Sequence, residues 1–148
     1  MQQEYKERLP TVTFSSGCNY RGEWVCGERE GQGLQTYPNG SEYEGEWKAN
    51  TQCGRGKLTY PDEDYFEGEW VNGQAQGFGI YHHRNGAIYE GYWTDNLQSG
   101  QGIETWPDRS RYEGEYKLGK KHGKGTYVWT DSSYYTGSWE DNYIHGYG

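Results

Sequence analysis

Tyr20, Tyr43, Phe66, Tyr89, Tyr112 and Tyr135 stand 23 residues apart, with no insertion or deletion between them. A fixed period of this length constrains the chain more than any single motif, because each repeat is one supersecondary unit that buries its apolar face only against its neighbours. Offsets counted from those aromatics show how much is held constant. Offset two is glycine in every repeat (Gly22, Gly45, Gly68, Gly91, Gly114, Gly137), and offset four is Trp24, Trp47, Trp70, Trp93, Tyr116 and Trp139. Offsets eleven and thirteen form a second glycine pair, running from Gly31 and Gly33 to Gly146 and Gly148. Offset seven is Gly or Asn, and offset seventeen is Tyr37, Tyr60, His83, Trp106 or Trp129. All 24 glycines and all seven tryptophans fall on these offsets or on offset twenty, which leaves little of this composition for a separate active site.

Within a repeat, "EYEGEW" alternates apolar or small residues with charged ones, the period-two pattern of a strand with one packed face. Trp, Tyr and Thr favour strands, and nothing shows helical periodicity. The "KAN" or "VNG" that follows is a turn, since Asn and Gly tolerate positive φ. A second short strand such as "GKLTY" (56–60) runs until "PNG" or "PD" turns the chain again. Each repeat is then one β-hairpin, and consecutive hairpins form a single antiparallel sheet. One face of the first strand reads aromatic, glycine, tryptophan, so a ring from the neighbouring strand can shield the bare glycine backbone. If offset zero pairs with offset seventeen, Tyr43 opposes Tyr60 and Trp47 opposes Gly56, which collects the rings on one side. A register differing by one residue would turn the second-strand aromatics to the other face.

The segment "YEGEWKANTQCGRGKLTYPDED" (43–64), with its tyrosine, glycine, tryptophan and later glycine pair on a 23-residue period, resembles the MORN (membrane occupation and recognition nexus) repeat. The resemblance covers residues 20–148, and "TVTFSSGCN" (11–19) matches the second half of a preceding repeat. The expected organisation is a flanking segment over 1–10 and an array over 11–148. The array comprises a half repeat (11–19) and repeats starting at 20, 43, 66, 89, 112 and 135, the last truncated before its second strand, with an unpaired edge open to self-association. The resemblance implies an all-β fold: an elongated, curved and twisted single-layer antiparallel sheet of consecutive hairpins. Twelve strands about 4.8 Å apart would span roughly 55–60 Å. Tyr116 in place of tryptophan, His83 in place of the late aromatic and Asn for Gly at three turns are expected to weaken local packing.

Composition limits the function classes. Only 31% of residues are hydrophobic and 18% are aromatic, so aromatics must supply the burial. No apolar run approaches the roughly 20 residues that span a bilayer. "MQQEYKERLP" lacks a signal peptide's apolar stretch, and a cytoplasmic location is expected. Cys18, Cys26 and Cys53 are odd in number and irregular in spacing, and no histidine lies near enough in sequence to complete a zinc pattern. Serines and cysteines in turns lack a consistent histidine partner, and adjacent His82 and His83 point to opposite faces of a strand, so neither catalysis nor a metal nor another cofactor is expected. The paired glycines of "GRGKL" precede no helix and recur in every repeat, unlike a phosphate loop. A net charge of −8 and a pI near 5.0 disfavour nucleic acid.

Two surfaces are left. Glu44, Glu67, Glu90 and Glu113 at offset one, with Glu23, Glu46, Glu69 and Glu115 at offset three, make an acidic stripe opposite the rings; it is either a solvated face or a docking surface for a basic partner. The aromatic face is the expected partner-binding surface, with Tyr43, Trp47, Phe66, Trp70, Tyr89, Trp93, Tyr112 and Tyr116 receiving a helix or extended segment. The resemblance adds a non-catalytic scaffold of a cilium, flagellum, axoneme or cytoskeleton. The alternative it carries is a peripheral membrane or phosphoinositide-binding module, for which the one basic concentration is "KLGKKHGKG" (117–125); a solvated turn is the favoured reading of that segment.

Overall fold

The computed structural model describes residues 6–146, and among these it contains strands and turns but no helix. The chain divides into two compact units, Met1–Gln74 and Ala75–Gly148. The first holds β1 (Glu7–Arg8), β2 (Val12–Thr13), β3 (Asn19–Val25), β4 (Glu28–Thr36), β5 (Glu42–Lys48), β6 (Thr51–Thr59) and β7 (Tyr65–Val71). The second takes nearly all of β8 (Gln74–His82), then β9 (Ile88–Thr94), β10 (Leu97–Thr105), β11 (Arg111–Lys117), β12 (Lys120–Val128), β13 (Tyr134–Glu140) and β14 (Tyr143–Ile144). In each unit the strands pair antiparallel in chain order as an open sheet, with β1 and β2 sharing the free edge of β3. The all-β hairpin architecture expected from the period is the architecture present.

The register differs from the expected one by two residues at Tyr43 and by four at Trp47. Tyr43 faces Leu58 rather than Tyr60, Gly45 faces Gly56, and Trp47 faces Gln52 rather than Gly56. On its other edge β5 places Tyr43 against Gln35, Gly45 against Gly33 and Trp47 against Gly31. Both shifts are even and preserve side-chain parity, so the rings do share one face. The cause is the turn: Lys48 faces Thr51, so the second strand begins at Thr51 and not at Gly56, and a bulge between offsets two and four, where the second strand carries two extra residues, recovers only part of that difference. The first, fourth and fifth repeats carry the same bulge. Glycine at offset eleven sits in this bulge at positive φ, as at Gly31, Gly54, Gly100 and Gly123.

Both central residues of the hairpin turns have positive φ, as in Ala49 and Asn50 or Asp95 and Asn96, the geometry whose twist matches that of the strands. Asparagine does more here than tolerate the angle. Asn50, Asn96 and Asn142 accept the backbone N–H of Arg29, Ala75 and Lys121 on Oδ1 at 2.7–2.9 Å, and their own N–H donates to the same residues' carbonyls. Gly73 and Gly119 make only the backbone bond. Asparagine at these turns therefore adds a clasp between consecutive repeats, contrary to the expected weakening.

The two ends also differ from expectation. The sixth repeat does begin its second strand, with Tyr143 facing Glu140 and Ile144 facing Trp139; Gly148 lies outside the described residues. At the other end the flanking segment is put to use, since Glu7 pairs with Trp24 and Arg8 with Glu23. Its register is one residue out of step with the repeats, because the positions of the glycine pair are taken by Arg8 and Pro10.

Candidate functional site

The offset-zero and offset-four rings form one continuous stack in each unit. In the first it runs Trp24, Tyr20, Trp47, Tyr43, Trp70, Phe66, with centroids 5.0–5.5 Å apart and planes near perpendicular. In the second it runs Trp93, Tyr89, Tyr116, Tyr112, Trp139, Tyr135 at 5.0–5.6 Å. Each ring presents its edge to a neighbour's face, an arrangement contributing about 0.5–1.5 kcal/mol per pair beyond area burial. One contact is made within a strand and the next between repeats, which is why both offsets must be aromatic.

Polar atoms of the stack are bonded where the bulge frees a carbonyl. The hydroxyls of Tyr20, Tyr43, Tyr89, Tyr112 and Tyr135 donate to the carbonyls of Glu23, Glu46, Tyr92, Glu115 and Ser138 at 2.8–3.0 Å. The indoles of Trp47, Trp70, Trp93 and Trp139 donate to the carbonyls of Gly33, Gly56, Gly79 and Gly125 at 3.0–3.2 Å. Tyr116 substitutes its own bond, donating to Glu104 Oε1 at 2.8 Å. Trp24 has no such acceptor: its buried Nε1 is unbonded, because the out-of-step flank brings no glycine carbonyl to it. Burial pushes the Tyr20 and Tyr112 hydroxyls up to about 12 and raises those of Tyr43, Tyr89 and Tyr116 as well, so they remain neutral donors.

Glycine is required where a ring lies over the backbone. A Cβ on Gly33, Gly56, Gly102 or Gly125 would overlap the ring of Tyr20, Tyr43, Tyr89 or Tyr112, and one on Gly45 would come within 2.6 Å of the Arg55 carbonyl. The ring over glycine is thus present, supplied diagonally across the facing glycine pair.

All eight rings expected to anchor a partner are packed in this core, the most exposed showing 7% of its surface. The chain itself covers them. What remains accessible on that side is the second-strand row at offsets fifteen and seventeen, which the sequence pattern only half reveals because offset fifteen is aromatic just in Tyr81 and Tyr127. In the second unit Tyr127 packs against Trp106 at 5.6 Å, Trp129 at 5.0 Å and Trp139 at 6.2 Å, and Trp129 is 39% exposed. Lys121 stands over Trp106 and Tyr112. In the first unit Arg29, at the same offset, stands over Trp47 and Phe14.

The acidic stripe divides into two rows with different work. Three offset-three carboxylates close the bulge: Glu23 Oε1 accepts the Gln32 N–H at 2.8 Å, Glu115 Oε2 the Lys124 N–H at 2.6 Å, and Glu46 Oε2 that of Arg55. A glutamate at offset three with a glycine at offset eleven is the sequence signal for this clasp. Glu44, Glu67, Glu90 and Glu113 at offset one are exposed. The lysines of 117–125 do not converge, since Lys121 lies over rings while Lys124 Nζ donates to Ser138 Oγ at 2.8 Å.

Cys18, Cys26 and Cys53 are unbridged, and among the described residues no group of three or more His, Cys, Asp or Glu side chains is placed to hold a metal ion. No helix among them is long and apolar enough to cross a membrane.

A family model described as the MORN repeat matches residues 20–42, 43–65, 66–88, 89–111, 112–134 and 135–148. A search of curated proteins finds no match. Among solved structures, a catalytically inactive virginiamycin B lyase from Staphylococcus aureus with quinupristin matches 93% of this chain at 13% identity and a TM-score of 0.21. The chain spans 45% of that protein's length, and a likeness this low carries no argument.

Proposed function

The chain belongs to the MORN repeat family, and on that premise we propose that it is a non-catalytic scaffold that receives a helix or extended segment of a partner protein on its ring side. One observation supports this reading above the others. The buried stack is already closed, yet Trp106, Tyr127 and Trp129 add a further, partly exposed row of rings above it in the second unit. Tyr and Trp are the favoured anchors of protein interfaces, and these three have the stack beneath them as a rigid support. The partner contact therefore moves from the first-strand rings to the second-strand row. The biological setting is a cilium, flagellum or other cytoskeletal assembly in the cytoplasm, a reading supported by family resemblance alone.

With tagged full-length protein as bait in ciliated cells, Trp129→Ala and Tyr127→Ala are expected to weaken partner recovery at least tenfold while circular dichroism stays unchanged. Charge reversal at Glu44 and Glu67 should alter recovery little. Binding to phosphoinositide vesicles at physiological salt, with the tagged protein at the plasma membrane, would replace this reading with a lipid-binding one. The divergent lysines of 117–125 give that alternative no support.

A further inference from the structure

The face opposite the rings differs between the two units in one row of directly opposed residues. In the first unit the row reads Glu44, Lys57, Glu67: a lysine lies between two glutamates on adjacent strands. Its ammonium is 4.0 Å from Glu67 Oε1 and 4.4 Å from the centroid of the Tyr65 ring. Two repeats later the same offsets read Glu90, Ile103, Glu113. The carboxylates are retained, and the cation between them has become an isoleucine. Among the described residues no side chain makes an ion pair with Glu90 or Glu113.

A second substitution lies beside it. Offset three, a bulge-closing glutamate in Glu23, Glu46 and Glu115, is Tyr92 in the fourth repeat. Tyr92 is 53% exposed and directly opposes Phe78, the two rings meeting edge to face at 5.7 Å. Phe78, Tyr92 and Ile103 line a cleft of about 220 Å³ whose margins include Glu90 and Glu113. The matching cleft of the first unit is lined by Glu46, Arg55, Lys57 and Glu67 and carries its own cations.

We propose that the cleft between Tyr92 and Ile103 is a docking site for an arginine side chain presented by a partner segment, on the face opposite the proposed ring-side contact. Charge complementarity selects the occupant. Two uncompensated carboxylates attract a cation, and an aromatic wall favours one whose charge is delocalised over a plane. Guanidinium stacks flat on a ring while directing a bidentate fork of donors at a carboxylate, whereas ammonium meets both only as a point charge. The first unit supplies an internal precedent on this face, since the Lys57 ammonium is held by one carboxylate and one tyrosine ring. The site requires no change of fold, because Glu90, Ile103 and Glu113 occupy paired strand positions and Tyr92, within the bulge toward β10, is held against Phe78 on the β8 edge.

The probe is the pentapeptide acetyl-Gly-Gly-Arg-Gly-Gly-amide, titrated to millimolar concentration into the full chain and followed by amide NMR. Its neutral control has citrulline in place of arginine. The expected result is a saturable shift at Gly91, Tyr92, Gly102 and Ile103 for the arginine peptide, at least tenfold weaker for the citrulline one. Two variants restore residues that other repeats already carry, so both keep the fold. Ile103→Lys supplies the first unit's own cation and should abolish binding by occupying the site. Tyr92→Glu removes the ring wall and should weaken binding at least tenfold despite adding negative charge. Tyr92→Phe should bind as the starting protein does. The proposal is overturned by absence of any shift at millimolar probe, by equal binding of the citrulline peptide, by shifts confined to the ring side, or by Tyr92→Glu binding as tightly as the starting protein.

Discussion

In the buried ring stack the two units are near copies. Each carries six edge-to-face rings, tyrosine hydroxyls bonded to bulge carbonyls, and a cation at offset nine, Arg29 or Lys121, over the stack. On the other side they diverge: Lys57 becomes Ile103, Glu69 becomes Tyr92, and Arg55 in the second repeat gives way to Phe78 in the third. The difference separates what packing dictates from what it leaves open. A position in the stack meets two neighbouring rings and a glycine backbone, so almost any change collides or leaves a void. A position on the other face meets solvent and is free to take up recognition.

The comparison breaks most visibly if the two ring sides respond differently to the same insult. Gly45→Val and Gly114→Val should each lower stability by about 3 kcal/mol, because the new side chain meets a facing backbone and a tyrosine hydroxyl that have no room to move. Glu44→Ala and Glu113→Ala should each change it by less than about 0.5 kcal/mol. Urea unfolding of the four variants decides the matter, and a glycine variant as stable as its glutamate counterpart would refute the packing argument.

A smaller effect sharpens the comparison at the chain's first repeat. Trp47→Phe and Trp139→Phe each remove an indole donor from a glycine carbonyl, whereas Trp24→Phe removes a donor that has no acceptor. The first two should therefore cost about 1 kcal/mol more than the third. Equal losses in thermal melts would mean that the Trp24 N–H is bonded in solution.

The smallest expected effect lies in the turns at offset twenty. Arg109 and Ser132 in the second unit and Glu63 in the first hold positive φ without being glycine, while Gly17, Gly40 and Gly86 hold it without strain. Arg109→Gly should raise stability by about 0.5 kcal/mol, the relief of the left-handed conformation slightly exceeding glycine's added chain entropy. A drop in melting temperature would show that the arginine side chain contributes more than its backbone strain removes.

How much of this was legible follows from the kind of signal each feature leaves. The hairpins, the two faces and the segregation of rings were readable because the period of 23 and the alternation within "EYEGEW" fix parity. The register is not legible, because even shifts leave that alternation intact, so the pattern shows neither the two-residue turn at Ala49 and Asn50 nor the bulge that follows it. The eight first-strand rings were read as a surface because nothing in a single-layer pattern says how closely neighbouring repeats bring ring edge to ring face. The roles of Glu46 and Asn50 are faint for a shared reason: each bonds a backbone N–H distant in sequence, and only Gly54, beside Arg55, marks the partner of Glu46. The cleft at Tyr92 leaves its trace only as a departure, one tyrosine where three other repeats place a bulge-closing glutamate.

The asparagine clasp, the indole bonds and the carboxylate clasp span 21, 14 and 9 residues respectively, in every repeat where they occur. Closing a loop costs entropy that grows only logarithmically with its length, and the longest and shortest of these spans differ by about 0.7 kcal/mol. A sheet assembled from strands remote in sequence meets ever larger closure penalties as it grows. Here the sixth repeat closes loops of the same size as the second, so the search that joins each new hairpin to the last is equally short wherever in the array it begins. The entropy of adding a repeat is set by its own 23 residues and not by how many precede it.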